Sequence, residues 1–198
     1  MYAIGHFAIG YLIGKASAKI LKVQLNMPLL LAASVIPDID LLLRFMQHRG
    51  PTHSLIMIMV LLIPFLVLYR KTAVPYSLAL VSHSLIGDFV GGTQLFWPLS
   101  TEWFGATTIG VSSISNVLLE LVLFSVSTVV MFKTGDLRGI FKDKYKIVLL
   151  LPFGAVLGPI LAVERGLQYA LPLLLAIPSL FYLVIFAYSM WVGVSQKM

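Results

Sequence analysis

The chain contains no cysteine. This excludes disulfides and thiolate metal sites, and leaves His, Asp and Glu as the strong ligands available. Charge is nearly as scarce, since only 11% of the 198 residues are charged and eight are acidic. So little charge cannot cover a soluble protein that is 59% hydrophobic, and a mean hydropathy of +0.97 points to the bilayer as solvent. The formal charge of +6 would favour nucleic acid only if the basic residues gathered on a soluble face. They flank apolar runs instead and read as topology signals, so no nucleic-acid partner is expected. No basic residue precedes Lys15 and no clear cleavage site follows, so the first apolar run is read as a retained helix rather than a signal peptide.

Apolar sequence is abundant. Runs cover 2–22, 27–47, 54–69, 74–90, 111–132, 145–164 and 167–193, and about twenty residues suffice to cross a hydrocarbon core. The expectation is an all-α polytopic membrane helix bundle of about seven spans, a single membrane domain over residues 1–198. With the N-terminus outside and the C-terminus inside, the inner regions hold Lys15, Lys19, Lys22, Arg70, Lys71, Lys133, Arg138, Lys142, Lys144, Lys146 and Lys197. Only Arg44, Arg49 and Arg165 fall outside, a strong positive-inside bias. The same orientation puts loop 91–110 outside, with Trp97 and Trp103 suited to the interface.

The few polar groups are not scattered. The stretch Ser34–Ser54, SVIPDIDLLLRFMQHRGPTHS, carries Asp38, Asp40, His48, Arg49 and His53 between long apolar runs. His6, His83 and Asp88 fall toward the same outer end. A carboxylate at a span centre costs about 2.5–3.5 kcal/mol on insertion scales, so it faces a polar cavity or a partner. Asp38 and Asp40 point to nearly opposite sides of a regular helix, and both reach one centre only if Pro37 distorts the backbone. The plainer alternative pairs Asp40 with Arg44 and leaves Asp38 to cap a broken helix. His83 and Asp88 stand about 140° apart on a regular helix, so they converge only if the backbone loosens near Gly87. Gly50-Pro51 breaks the helix between His48 and His53, which as interfacial residues could also merely contact headgroups. Glu102 reads equally as a solvated loop acid, and mid-span Glu120 is left unassigned. Gly10-x-x-x-Gly14 and Gly154-x-x-x-Gly158 read as close-packing motifs.

No compact zinc motif is present, yet the N and O ligands suit a site for two or three divalent ions. Such a site activates water and clamps the oxygens of an in-line phosphoryl displacement.

The elements GHFAIGYLIG, IPDID, HRGPTHS and SHSLIGDFVGGTQLFWP, in this order over residues 1–100, resemble the YdjM-like family of integral-membrane metal-dependent hydrolases. That family is thought to be remotely similar to zinc-dependent phospholipases C and single-strand nucleases. The resemblance implies a zinc-type centre and His6, Asp38, Asp40, His48, His53, His83 and Asp88 as site residues. The interval from His83 to Asp88 is one residue longer than the family's usual one. Residues 111–198 add only hydrophobicity and are expected to be structural or lipid-facing.

The leading expectation is a zinc-dependent, membrane-embedded hydrolase of a phosphoester, with membrane lipid as environment and substrate. It would sit in the cell membrane with its site toward the extracytoplasmic side. His53, His83, Asp38 and Asp88 would hold one ion, with His6 and His48 completing a second position. Asp38 or Asp40 would orient water, and Arg49 would neutralise the phosphate. A metal-ion permease using the same residues as transient ligands is the alternative. A membrane scaffold with a purely structural site is the third possibility.

Overall fold

The computed structural model describes residues 1–42, 47–161 and 171–195. Arg44, Arg165 and Lys197, which entered the charge count, lie outside them, as does any pairing of Asp40 with Arg44.

The chain is all-helical, with no strand among the described residues. Among the described residues eight α-helices follow one another: α1 (Ala3–Leu21), α2 (Met27–Ala33), α3 (Leu55–Tyr69), α4 (Val74–Leu85), α5 (Ile114–Thr134), α6 (Leu137–Lys142), α7 (Leu150–Leu161) and α8 (Ala176–Ser195). Helix α1 is the axis of the fold. Phe7, Tyr11 and Ile4 are buried along it, and Phe7 meets Tyr182 and Phe186 of α8 edge-on at 4.9 and 5.6 Å. Gly10 and Gly14 let α2 and the segment after it cross α1 closely. A methyl at either would lie 2.5 Å from Ser34 Cβ or Leu30 Cδ1 respectively, as expected of a small-residue pair. Gly154 and Gly158 instead face open space.

Hydrogen bonds fix the directions of the central helices. Glu120 near the start of α5 accepts from Tyr2 N and Gly5 N at the start of α1, at 2.9 and 3.2 Å. At the far end Lys15 Nζ meets Asp136 at 2.6 Å, and Tyr11 donates to the same carboxylate at 2.8 Å. Helices α1 and α5 are therefore parallel. Helix α4 runs against them, because Tyr76 at its start accepts from Asn26 N just beyond α1, at 2.8 Å. Met27 N also donates to Asp143 at 2.8 Å. The three connections that follow α1, α3 and α5 thus meet at one end of the bundle, together with their lysines and arginines. Residues 36–42, 47–54 and 87–113 lie at the other end.

Seven apolar runs do not become seven spanning helices. Among the described residues three helical segments are long and apolar enough to cross a membrane: Leu55–Thr72, Ile114–Thr134 and Leu173–Gly193. The run 2–22 carries lysines in its last turns and is wrapped by protein, with twelve of the nineteen α1 residues buried. The run 27–47 breaks after seven helical residues. Pro37 cannot supply an N–H to the Ala33 carbonyl, and the chain continues as a 3-10 helix, Ile36–Leu42. The run 74–90 yields only the twelve residues of α4, and 145–164 gives a short apolar helix, Lys146–Leu161. Hydropathy reports removal from water and does not distinguish lipid from protein as the new surroundings. In place of the expected seven spans, the described residues hold three membrane-long segments and a protein-buried α1.

Candidate metal centre

The centre is assembled at three breaks in helical structure. The 3-10 helix after α2 carries Asp38 and Asp40. A turn with Arg49 at a positive φ of 65° leads into a 3-10 turn, Pro51–His53, which delivers His53. Helix α4 carries His83 near its end and stops at Leu85; a further 3-10 turn, Gly87–Phe89, swings Asp88 back beside it. The loosening at Gly87 that these two residues require is therefore present. Gly87 also makes room for His6, since a methyl there would lie 2.3 Å from the imidazole Nδ1.

Four side-chain atoms converge. His53 Nε2 lies 3.2 Å from His83 Nε2, 3.1 Å from Asp88 Oδ2 and 3.5 Å from Asp38 Oδ1. His83 Nε2 lies 3.3 Å from Asp88 Oδ2 and 3.5 Å from Asp38 Oδ1. Donors about 2.0–2.2 Å from a tetrahedral Zn²⁺ stand roughly 3.3–3.6 Å from one another. The separations among His53, His83 and Asp88, 3.1 to 3.3 Å, suit three donors on one cation, and Asp38 stands 3.5 Å from both imidazole nitrogens beside them.

The far nitrogens are fixed as ligand imidazoles require. His83 Nδ1 lies 2.7 Å from the Ser34 carbonyl oxygen, which can only accept, so this nitrogen carries the proton and Nε2 keeps its lone pair for the centre. His53 Nδ1 is 3.3 Å from Asp40 Oδ2 and 2.9 Å from Thr52 Oγ1. Thr52 Oγ1 donates to Asp40 Oδ2 at 2.8 Å, Arg49 N donates to the same oxygen at 3.2 Å, and His48 Nδ1 stands 3.0 Å from Oδ1. In the 3-10 backbone, then, the two aspartates divide the work. Asp38 faces the Nε2 side of His53 and Asp40 the Nδ1 side.

His53, His83, His6, Asp40 and Asp88 are each at most 2% exposed, while the Asp38 and His48 side chains reach 13% and 33%. The cluster is therefore entered past Asp38 and His48. Three carboxylates face the Arg49 guanidinium and the buried Met1 ammonium, which lies 3.7 Å from Asp88 Oδ1, and a net negative charge remains in the pocket. Ring protons or a divalent cation must balance it. Burial disfavours a charged His53, but hydrogen bonds with Asp38, Asp40 and Asp88 outweigh burial and hold its pKa well above the usual histidine value.

His53, His83 and Asp88 form one group, and two further groupings, both containing Asp38, lie beside it. His6 joins Asp38 and His83, and His48 joins Asp38 and His53, with donor atoms in each group within 4.8 Å. The His6 ring stacks on His83 at 3.7 Å, with Nε2 3.7 Å from Asp88 Oδ1; its buried Nδ1 has no hydrogen-bond partner.

A family model described as YdjM inner membrane protein matches residues 1–196. The chain belongs to the YdjM family. Neither a curated protein nor a solved structure matches it. The family's inner-membrane description agrees with the three membrane-long helical segments.

In this YdjM chain Arg49 is turned inward. Its Nη2 pairs with Asp88 Oδ1 at 3.1 Å, and Nη1 donates to the Val90 and Gly92 carbonyls at 2.9 and 3.3 Å. Gly91, at a φ of +92°, allows this approach, since a methyl there would lie 2.1 Å from Nη1. The guanidinium thus grips the Asp88 carboxylate where an exposed phosphate-binding cation was expected. Loop 91–110 secures the turn in return, with Gln94 N and Thr93 Oγ1 donating to the Arg49 carbonyl at 2.9 and 3.0 Å. Thr52, the Ser34 carbonyl and the room that Gly87 leaves for His6 were not foreseen. Of these only Thr52, beside His53, left a trace in the sequence, as a hydroxyl within a polar turn. Glu102 is exposed, and Glu120 is a buried cap on α1 that belongs to none of the donor groups.

Proposed function

We propose that this protein is a membrane-embedded, metal-dependent hydrolase of a phosphoester, acting on a lipid headgroup bond at the extracytoplasmic interface. The observation that carries the reading is the set of five separations of 3.1–3.5 Å among His53 Nε2, His83 Nε2, Asp38 Oδ1 and Asp88 Oδ2. Two histidines with tethered far nitrogens and two carboxylates, without sulfur, are a donor set for zinc or a similar divalent ion. When bound, such an ion supplies Lewis acidity and lowers the pKa of water.

The chain's own residues do the rest. Ser34 and Asp40 orient the two imidazoles. Arg49 holds Asp88 in place, and Asp38 is the donor nearest the opening. His48, at the mouth and tied to Asp40, is the polar side chain placed to meet a substrate. His6 completes a second position with Asp38. The lysines and arginines of the three connections support an inner placement for the opposite end, and so an outer one for the centre. The exposed Phe96, Leu99 and Trp103 of loop 91–110 suit an interface at the level of the centre. A permease would need polar groups along a path through the bundle; here they gather at one end.

The test is elemental analysis of protein purified without chelator, beside Asp38→Ala and His53→Ala, followed by turnover of phospholipid vesicles and of a soluble phosphodiester. Stoichiometric metal in the native protein alone, with hydrolysis that stops on chelation, is the expected result. A native protein without stoichiometric metal overturns the reading. Metal movement into proteoliposomes without hydrolysis would select the permease instead.

A further inference from the structure

A second concavity borders the centre. It has a volume of about 410 Å³ and is walled by Ile9 of α1, Leu85 at the end of α4, Ile86, Phe89, and Leu119 and Leu123 of α5. Ligand pockets span roughly 300–1,000 Å³. The wall offers no charged or hydrogen-bonding side chain, and the ammonium of Met1, which also lines it, is buried against the Gly87 carbonyl and Asp88, so a headgroup, nucleotide or sugar finds no partner here. Leu85, Ile86, Phe89 and Leu119 are each 44–56% exposed, and no described part of the chain covers them.

The location decides what covers them. One wall is α5, a membrane-long helix, so the groove opens toward hydrocarbon rather than water. Helices α1 and α5 are parallel, and a groove between them runs along the same direction as the chains of the surrounding lipid. At its other edge Ile86 and Phe89 bracket Gly87 and Asp88, so the same 3-10 turn that forms the wall delivers a donor to the centre.

We infer that this groove is a binding site for one acyl chain of a membrane lipid, and that it selects the substrate. A chain seated between α1 and α5 ends at the turn bearing Asp88, which brings the polar end of the same molecule to the level of the centre. The substrate class is a chain-bearing amphiphile, not a soluble phosphodiester. That assignment of substrate rests on the proposed hydrolase; occupancy of the groove does not.

Two readouts separate these claims. The full chain is reconstituted with a phospholipid carrying a diazirine in its acyl chain, irradiated, and the labelled peptides are mapped. Label is expected to concentrate on residues 85–90 and 119–123, above the more exposed apolar faces of α3 (Leu61, Phe65) and α8 (Ile177, Trp191). Filling the groove by Leu119→Trp, or by Leu123→Trp should the first variant fold poorly, should abolish the groove label. Labelling of α3 and α8, and the metal content, should be retained. Uniform labelling of all exposed faces, or groove labelling that survives both fillings, overturns the site. The groove label should also persist in Asp38→Ala, so that failure of the metal centre and failure of the groove are told apart. Where native protein hydrolyses lipid, the filled variants should raise KM for long-chain lipid and leave a soluble diester unaffected. An equal effect on both substrates overturns the selective role.

Discussion

Asp40 shows most clearly how the centre is built. It does not join the Nε2 cluster; its oxygens are taken by Thr52, the Arg49 backbone, His48 and the far nitrogen of His53. Removing the charge while keeping the shape should therefore loosen the imidazole without deleting a ligand. Asp40→Asn is expected to weaken cation affinity about 10–100-fold at unchanged stoichiometry, as carboxylate partners of ligand histidines do, measured by titration against a competing chelator. The same geometry sets a pH dependence. The raised pKa of His53 means that a cation must displace a proton, so affinity falls as pH falls, and loading at neutral pH releases protons into weakly buffered solution. An affinity independent of pH between 6 and 8 would contradict the proton-for-metal exchange. The residue types and their convergence were legible in the sequence, because ionisable groups in so apolar a chain need partners. The inward turn of Arg49 was not. It depends on the positive φ of Arg49 and Gly91, a backbone choice that no side-chain pattern announces.

At the level of elements, the parallel pairing of α1 and α5 rests on a buried acid. Glu120 is fully buried and accepts from Tyr2 N, Gly5 N and the Asn116 amide, taking up orphan N–H groups at the start of α1. Glu120→Ala would leave buried donors unsatisfied and should destabilise the fold by about 1–3 kcal/mol. Glu120→Gln, which still presents an acceptor, should cost less. Thermal unfolding in detergent ranks the two, and equal stability of Glu120→Ala and native protein would contradict the capping role. An acid in the middle of an apolar run announces a partner without naming it, and the partner here is backbone, which every sequence offers everywhere. The start of α4 at Val74 and the break at Pro37 were both legible, since proline marks them. Hydropathy alone does not set α1, which is wrapped by protein, apart from the three membrane-long segments, because burial in protein and burial in lipid leave the same trace.

For the whole molecule, the decisive matter is which end faces which compartment. The absence of cysteine makes this directly measurable, because any introduced thiol is the sole one. Leu99→Cys, exposed in loop 91–110, should react with a membrane-impermeant maleimide on intact cells stripped of their outer barrier. Lys71→Cys should react only after the inner membrane is opened. The reverse pattern would invert the proposed orientation and put the centre on the cytoplasmic side. The gathering of basic connections at one end could be read from charge alone, whereas the span count could not. The donors themselves come from stretches that no helix joins: the 3-10 segment 36–42, the turn at 51–53, and α4 with its 87–89 extension. A cation bound there would act as a rivet through three separate pieces of chain, so that loading the metal and closing that end of the molecule become one event. Protein made where the ion is scarce would leave those pieces untied and open to membrane proteases, and its abundance in the cell would then track the metal supply of the compartment it faces.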